Sequence, residues 1–241
     1  TILPVIVLRD DIYDVINDPD KTKWNDFKIE LDWNKESIQN LLAFRISRAI
    51  DENGNTLAFN EAWFNVFTKQ SVIYGDKQRR RMSIFDYISR STQGRPRDYI
   101  SYIKECAETM LEKNPNRLIP ANVVRKQDKA FSNYLKAEIE DEIGSVLPEI
   151  KTIMSILSEI RKQTFNISEF EIAYNNAVTR GSIPDRGYSH VLEVLFNFSV
   201  VGNQPKQSNN QVFRYENKQA RLNFSEMIIV HRGLFKSLQI L

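Results

Sequence analysis

The chain has 241 residues, 41% of them hydrophobic and 27% charged, with a formal net charge of +2. This is the composition of an ordinary globular protein long enough to bury a core, and its charge is too small to imply nucleic-acid binding without a local patch. Cys106 is the only cysteine, which excludes an internal disulfide and a cysteine-based metal site. The apolar run Ile2 to Leu8 is too short to span a bilayer, and no signal-peptide pattern precedes it, so a cytoplasmic protein is expected. Thr1 to Leu8 is rich in β-branched residues and reads as a strand buried on both faces. No parallel partner for it is recognisable nearby, which predicts a sheet upstream and a chain that is a fragment of a longer protein. Phe27 to Leu31 alternates as a half-solvated strand does. Asp32 or Asn34 then caps a helix carrying Ile38, Leu41, Leu42, Ile46 and Ile50, and Asn53-Gly54-Asn55 ends it.

Ala58 to Phe67 is aromatic-rich and predicts a short helix whose rings serve the core, with base stacking the alternative. Lys77 to Arg81 is a short basic run, read as a solvated loop or helix start. Ser83 to Ser91 forms a further helix and leads into Thr92-Gln93-Gly94-Arg95-Pro96-Arg97-Asp98. Gly94 supplies a backbone angle other residues avoid, and Pro96 is pre-set for the first position of a helix. That helix carries Ile100, Ile103, Ala107, Met110 and Leu111, places Cys106 as a small core or boundary residue, and stops at Asn114-Pro115. Ile119 to Ile143 reads as one long helical stretch ending in the acids Glu138, Glu140, Asp141 and Glu142, either solvated or facing a basic surface. Gly144 marks an expected hinge. His190 and His231 are isolated, and each reads as an ordinary structural residue.

From Ser145 the pattern resembles a winged helix. A helix with Ile150, Ile153, Met154, Leu157 and Ile160 comes first, and Ser168 with Glu171 forms a potential capping box for a second that runs through Val178. Asp185 or Ser189 opens a third, with Val191, Leu192, Leu195 and Phe196 inward and Tyr188, Ser189, His190, Glu193 and Asn197 outward. Val200 to Asn203, Val212 to Tyr215 and Met227 to Val230 supply the hairpin. Residues 145–241 hold eleven Lys and Arg against eight Asp and Glu. Arg180, Arg186, Lys206, Arg214, Lys218 and Arg221 are the best phosphate or partner contacts there.

Gly94-Arg95-Pro96-Arg97 opening a helix resembles the sensor-2 turn of origin-recognition-type AAA+ ATPases, and its Gly-x-Pro core is similar to the lid motif of STAND ATPases. Val5 to Val15, an apolar strand ending in Leu8-Arg9-Asp10-Asp11-Ile12, resembles the sensor-1 strand of a bacterial group of P-loop ATPases labelled FunZ-like, and Ile229 to Leu238 resembles the close of the same group. The resemblance implies a mainly α fold: the remnant of an α/β P-loop ATPase core over 1–33, a helical lid over 34–143 and a winged-helix domain over 144–241. Carried over by position, Arg9 faces the nucleotide or a neighbouring subunit, Pro96 lies by the adenine and Arg97 reads the phosphates. Read from the residues alone, Arg95 and Arg97 are solvated arginines at a helix start, and Asp10, Asp11 and Asp14 are caps and ion-pair partners.

No Gly-x-x-x-x-Gly-Lys-Ser/Thr sequence is present, and no nucleophile-base pair or metal cluster is recognisable. The expected function is therefore the C-terminal part of an ATP-dependent switch ATPase, inactive in hydrolysis alone. ATP and magnesium enter only with a missing N-terminal half, and this chain alone takes no cofactor. Its expected partners are that upstream half and DNA or protein at the winged helix, with homo-oligomers compatible and no membrane. The alternative is a stand-alone winged-helix DNA-binding or protein-interaction module without nucleotide.

Overall fold

The computed structural model describes residues 4–8, 13, 16–75, 80–114 and 116–240. The chain divides into two compact units, Thr1–Asp32 and Trp33–Leu241. In the first, a 3-10 helix spans Lys21–Phe27 and nothing in it is buried. Tyr13 is its focus: Trp24 lies 6.2 Å from the Tyr13 ring, and the ammonium groups of Lys21 and Lys28 each sit 4.5 Å from that ring's centroid.

Two expected strands differ here. Residues 4–8 and 28–31 take no ladder hydrogen bonds among the described residues, and Val5, Ile6 and Val7 are exposed. Phe27, Ile29 and Leu31 are 87%, 85% and 81% exposed, while Lys28 and Glu30 pair with each other. The alternation is therefore kept, but a strand exists only where another chain segment meets its N–H and C=O groups.

Among the described residues the second unit is built from nine α-helices and two small sheets. Helix α1 (Lys35–Ile50) starts at Asn34, whose side chain accepts from Ser37 N at 2.9 Å while Ser37 Oγ accepts from Asn34 N at 2.8 Å. This reciprocal cap decides between the two candidate residues. Helix α2 (Phe59–Trp63) brings the aromatic cluster inward, with Trp63 stacked on Phe67 at 4.2 Å and Phe59 edge-on to Phe85 at 5.1 Å. A hairpin of β1 (Val72–Tyr74) and β2 (Arg80–Met82) follows, with Ile73 opposite Arg81. Thus the end of the basic run is a strand, a pairing hidden because strands this short carry too little periodicity to read.

Helices α3 (Ile84–Ser89) and α4 (Pro96–Lys113) flank the turn, and Cys106 is buried on α4. The stretch expected as one helix is two, α5 (Ala121–Lys126) and α6 (Asp128–Ile143). The break at Gln127 lets Asp128 accept from the hydroxyls of Tyr87 and Tyr102, each at 2.6 Å. Those bonds tie α6 to α3 and α4.

Helix α7 (Ile150–Ile160) leads through β3 (Thr164–Phe165) to α8 (Ile167–Thr179), then α9 (Tyr188–Asn197), β4 (Val201–Gln204) and β5 (Met227–Val230). The sheet order is β3-β5-β4, all antiparallel. Strand β3 is two residues long and carries no pattern of its own. The capping box of α8 is Asn166 with Glu169 rather than Ser168 with Glu171: Asn166 Oδ1 accepts from Glu169 N at 3.0 Å, and Glu169 Oε2 accepts from Asn166 N at 2.9 Å. The helix begins earlier because Thr164 and Phe165 are held in the sheet, which places Asn166 at the exit. Helix α9 is preceded by Gly187 at φ +79° with no side-chain cap, so neither Asp185 nor Ser189 caps it. A single apolar cluster runs from Ile38 through Phe131 and Ile143 to Leu147, Leu157, Leu195 and Ile240. Gly144 is half-buried between the core residues Ile143 and Leu147, its N–H donating to the Glu140 carbonyl at 2.9 Å.

Candidate functional site

The turn between α3 and α4 is built into the molecule from both sides. Gly94 takes φ +70°, in the left-handed region that favours glycine, and Pro96 is the first residue of α4. Gln93 N donates to Asp98 Oδ2 at 2.9 Å, closing the turn across the helix start. Asp98 is 1% exposed and its other oxygen has no hydrogen-bond partner. Burial raises its pKa, opposed by the Gln93 N–H and by the charges of Arg95 and Arg97.

The turn is held on its far side by the C-terminal third. Gln93 Nε2 donates to the Phe198 carbonyl at 3.1 Å and the Ser199 carbonyl at 3.2 Å. Ser199 itself sits at φ +55°, and its hydroxyl accepts from Tyr215 N at 2.9 Å. The Tyr215 ring packs beside Gly94. His231 is buried against Phe213 and Tyr215, with Nδ1 accepting from Gly233 N at 3.2 Å, which places the proton on Nε2. Nε2 faces the Thr92 carbonyl without closing a hydrogen bond of good geometry, and burial lowers the ring's pKa to about 4.

Arg95 and Arg97 both turn toward α6. Arg95 donates to Glu142 and to the Gln93 side-chain oxygen, and Arg97 pairs with Glu138 and, at 3.4 Å, with Glu142. Glu138 and Glu142 are one helical turn apart, so both carboxylates share a face. Part of the acidic run thus answers the arginines of the turn. Arg97 keeps 57% of its side chain exposed, so its pairs are exchangeable ones.

Of the residues expected to sense nucleotide, Gly94, Pro96 and Arg97 come together here, and Arg9 lies outside the described residues, as do Asp10, Asp11 and Asp14. Of the six C-terminal cations, two meet carboxylates. Arg180 pairs with Glu159 at 3.5 Å and Arg186 with Glu149, at 3.4 Å through Nη2. Arg214 donates to the Ala220 carbonyl at 3.0 Å, inside the connection from β4 to β5 that also carries Lys206, Lys218 and Arg221. On α9, Ser189, His190, Glu193 and Asn197 are exposed and Tyr188 is half-buried.

Sequence reasoning missed the anchors Gln93, Asp98, His231 and Gly233. A readable signal existed only for Glu138 and Glu142, whose four-residue spacing matches two arginines on a neighbouring helix start. The described residues hold no group of three or more His, Cys, Asp and Glu that could bind a metal, and no helix long and apolar enough to cross a membrane.

The second unit is thus a mainly α body whose central turn is clamped between an acidic helix face and a small C-terminal sheet. Residues 36–140, which take in that turn, match the model of the FunZ-associated C-terminal helical domain. No curated protein and no solved structure matches the chain.

Proposed function

We propose that this chain is the C-terminal part of an ATP-dependent switch protein of the AAA+/STAND kind. The observation that carries the reading is the presence of a FunZ-associated C-terminal helical domain over residues 36–140 with a Gly94-x-Pro96-Arg97 helix start inside it. In this reading residues 1–33 complete an α/β P-loop core, and the exposed Val5 to Val7 and Phe27, Ile29 and Leu31 are covered by its sheet. Residues 34–143 are the lid. ATP and magnesium are held by the upstream half, with Pro96 near the adenine, and Arg97 exchanges its pairs with Glu138 and Glu142 for the phosphates. Both are acceptor-only anions, so the exchange needs no new donor.

Residues 144–241 are read as a winged helix. The order α7, β3, α8, α9, β4, β5 with antiparallel β4 and β5 supports it, the 205–226 connection being the wing. Its partner is DNA or a protein. The carboxylates on Arg180 and Arg186 favour a protein surface, and the cations of the wing favour DNA. Because Gln93 of the turn is bonded to this module, lid closure transmits directly to it.

The test begins with the intact mass of the native protein. A mass well above 28.2 kDa directs the assay to the longer form. There Arg97→Ala is expected to lower ATP turnover by at least about tenfold, and Glu142→Gln to tighten nucleotide binding by releasing the arginines. Unchanged turnover and affinity in both variants would remove the turn from the nucleotide site. A native mass near 28.2 kDa would leave binding, without hydrolysis, as the function.

A further inference from the structure

The hairpin β1–β2 and helix α5 face each other across an open groove of about 600 Å³, whose lining includes no residue of the sensing turn. Among the described residues its charged lining is Arg81, Arg125 and Lys126, with no acidic residue. Arg81 comes from β2, opposite Ile73 in the ladder, and the other two come from the last turn of α5. Arg125 Nη1 donates to the Ile73 carbonyl at 3.3 Å, which fixes the guanidinium at the rim and leaves the rest of its fork unengaged. None of the three cations belongs to an ion pair among the described residues. Four other arginines of this unit, Arg95, Arg97, Arg180 and Arg186, meet carboxylates. Three unanswered cations along one groove make a local field that the small net charge of the chain conceals.

We infer that this groove binds the phosphate backbone of a nucleic-acid duplex without reading its bases. Phosphate oxygens accept only, and the lining offers donors: two guanidiniums, one ammonium, and the amides of Gln70 and Asn122. Among the described residues no aromatic side chain lines the groove, so the lining lacks the stacking platform that single-strand binders combine with positive charge. The site is separate from the C-terminal module, and the inference stands whether or not the winged-helix reading does.

The experiment is fluorescence anisotropy of the whole chain with a short labelled duplex, the same sequence as a single strand, and labelled polyglutamate, each across a salt series. Three phosphate contacts predict a duplex affinity that falls about 40-fold between about 50 and 200 mM salt. Replacing Arg81, Arg125 and Lys126 together by Gln is expected to weaken duplex binding by at least about tenfold and flatten the salt slope. Arg81→Lys with Arg125→Lys keeps the charge and should keep the slope, which separates lost binding from lost fold. Arg214→Ala with Lys218→Ala should leave the groove's share of the slope intact, whatever it does to the C-terminal module. The inference is overturned if the wild-type chain does not bind the duplex or the Gln variant binds it equally well. Tighter binding of the single strand, or polyglutamate binding as tight as the duplex, would overturn it too and assign the groove to that ligand.

Discussion

Gly233 lies so close to the Ser91 carbonyl that a Cβ there would stand 2.2 Å from the oxygen and 2.5 Å from Leu135. Both neighbours belong to packed elements, so neither can yield cheaply. Gly233→Ala is therefore expected to destabilise the second unit by about 2 kcal/mol or more, read as a lowered midpoint in denaturant. His231, two residues away, makes stability depend on pH. Its folded pKa of about 4 lies below the ordinary 6.5, so the unfolded chain takes up the proton first as pH falls. The stability that the neutral ring contributes is complete above pH 6.5 and declines as pH falls toward about 4, by up to about 3 kcal/mol. Denaturant titrations between pH 7 and 4 should show this decline, and it should vanish in His231→Phe if this ring is its source. By contrast, Glu138→Gln on the exposed Arg97 pair should cost no more than about 1 kcal/mol. The same pair is invisible to stability and central to the proposed exchange, which is why turnover rather than melting tests it.

Elements are closed by side chains that the local sequence ranks imperfectly. For α1 the cap was one of two legible candidates, and the geometry selects Asn34 because Ser37 can reciprocate. For α8 the pattern Ser168 to Glu171 has the right spacing and the wrong place, since β3 pairs with β5 and hands the chain over at Asn166. Asn166→Ala is expected to lower stability by about 1 kcal/mol and Ser168→Ala by a few tenths, a contrast measurable by thermal unfolding. The long β4–β5 connection is stapled by Asn203, which is 2% exposed. Its side chain donates to the Asn223 carbonyl at 2.9 Å and accepts from Asn223 N at 2.8 Å, while its backbone bridges Val212 in both directions. Asn203→Leu would remove both hydrogen bonds to the part-buried backbone groups of Asn223, and the expected loss is about 1 kcal/mol. Limited proteolysis should then cut within 205–226 first.

Residues 33–241 form one compact unit on a continuous apolar cluster, so the regions read as lid and winged helix share their core. A chain beginning at Trp33 is expected to fold and to unfold in a single transition, with coincident far-UV and near-UV signals. Two separated transitions would mean that residues on either side of Gly144 are independent bodies. Hydrogen exchange addresses the other end of the chain. In a longer native protein the amides of residues 4–8 and 27–31 should gain protection that this chain alone lacks, if an upstream sheet pairs with them.

Much of this was legible in the sequence for a simple reason: helices and turns are local. The periodicity of Ile100 to Leu111, the glycine and proline that open α4, and the order of the last three helices follow from residues a few positions apart, and local sterics and amphipathicity settle them. What the tertiary structure alone decided was pairing at a distance. It made a hairpin of Val72 to Met82, broke the long helix at Gln127 so that Asp128 could meet two tyrosines, left residues 28–31 outside any described sheet, and clamped Gln93 against Phe198 and Ser199. Each of these depends on whether a partner more than a few residues away arrives to satisfy a hydrogen bond or cover an apolar face. No window of the chain contains that information until the chain has folded.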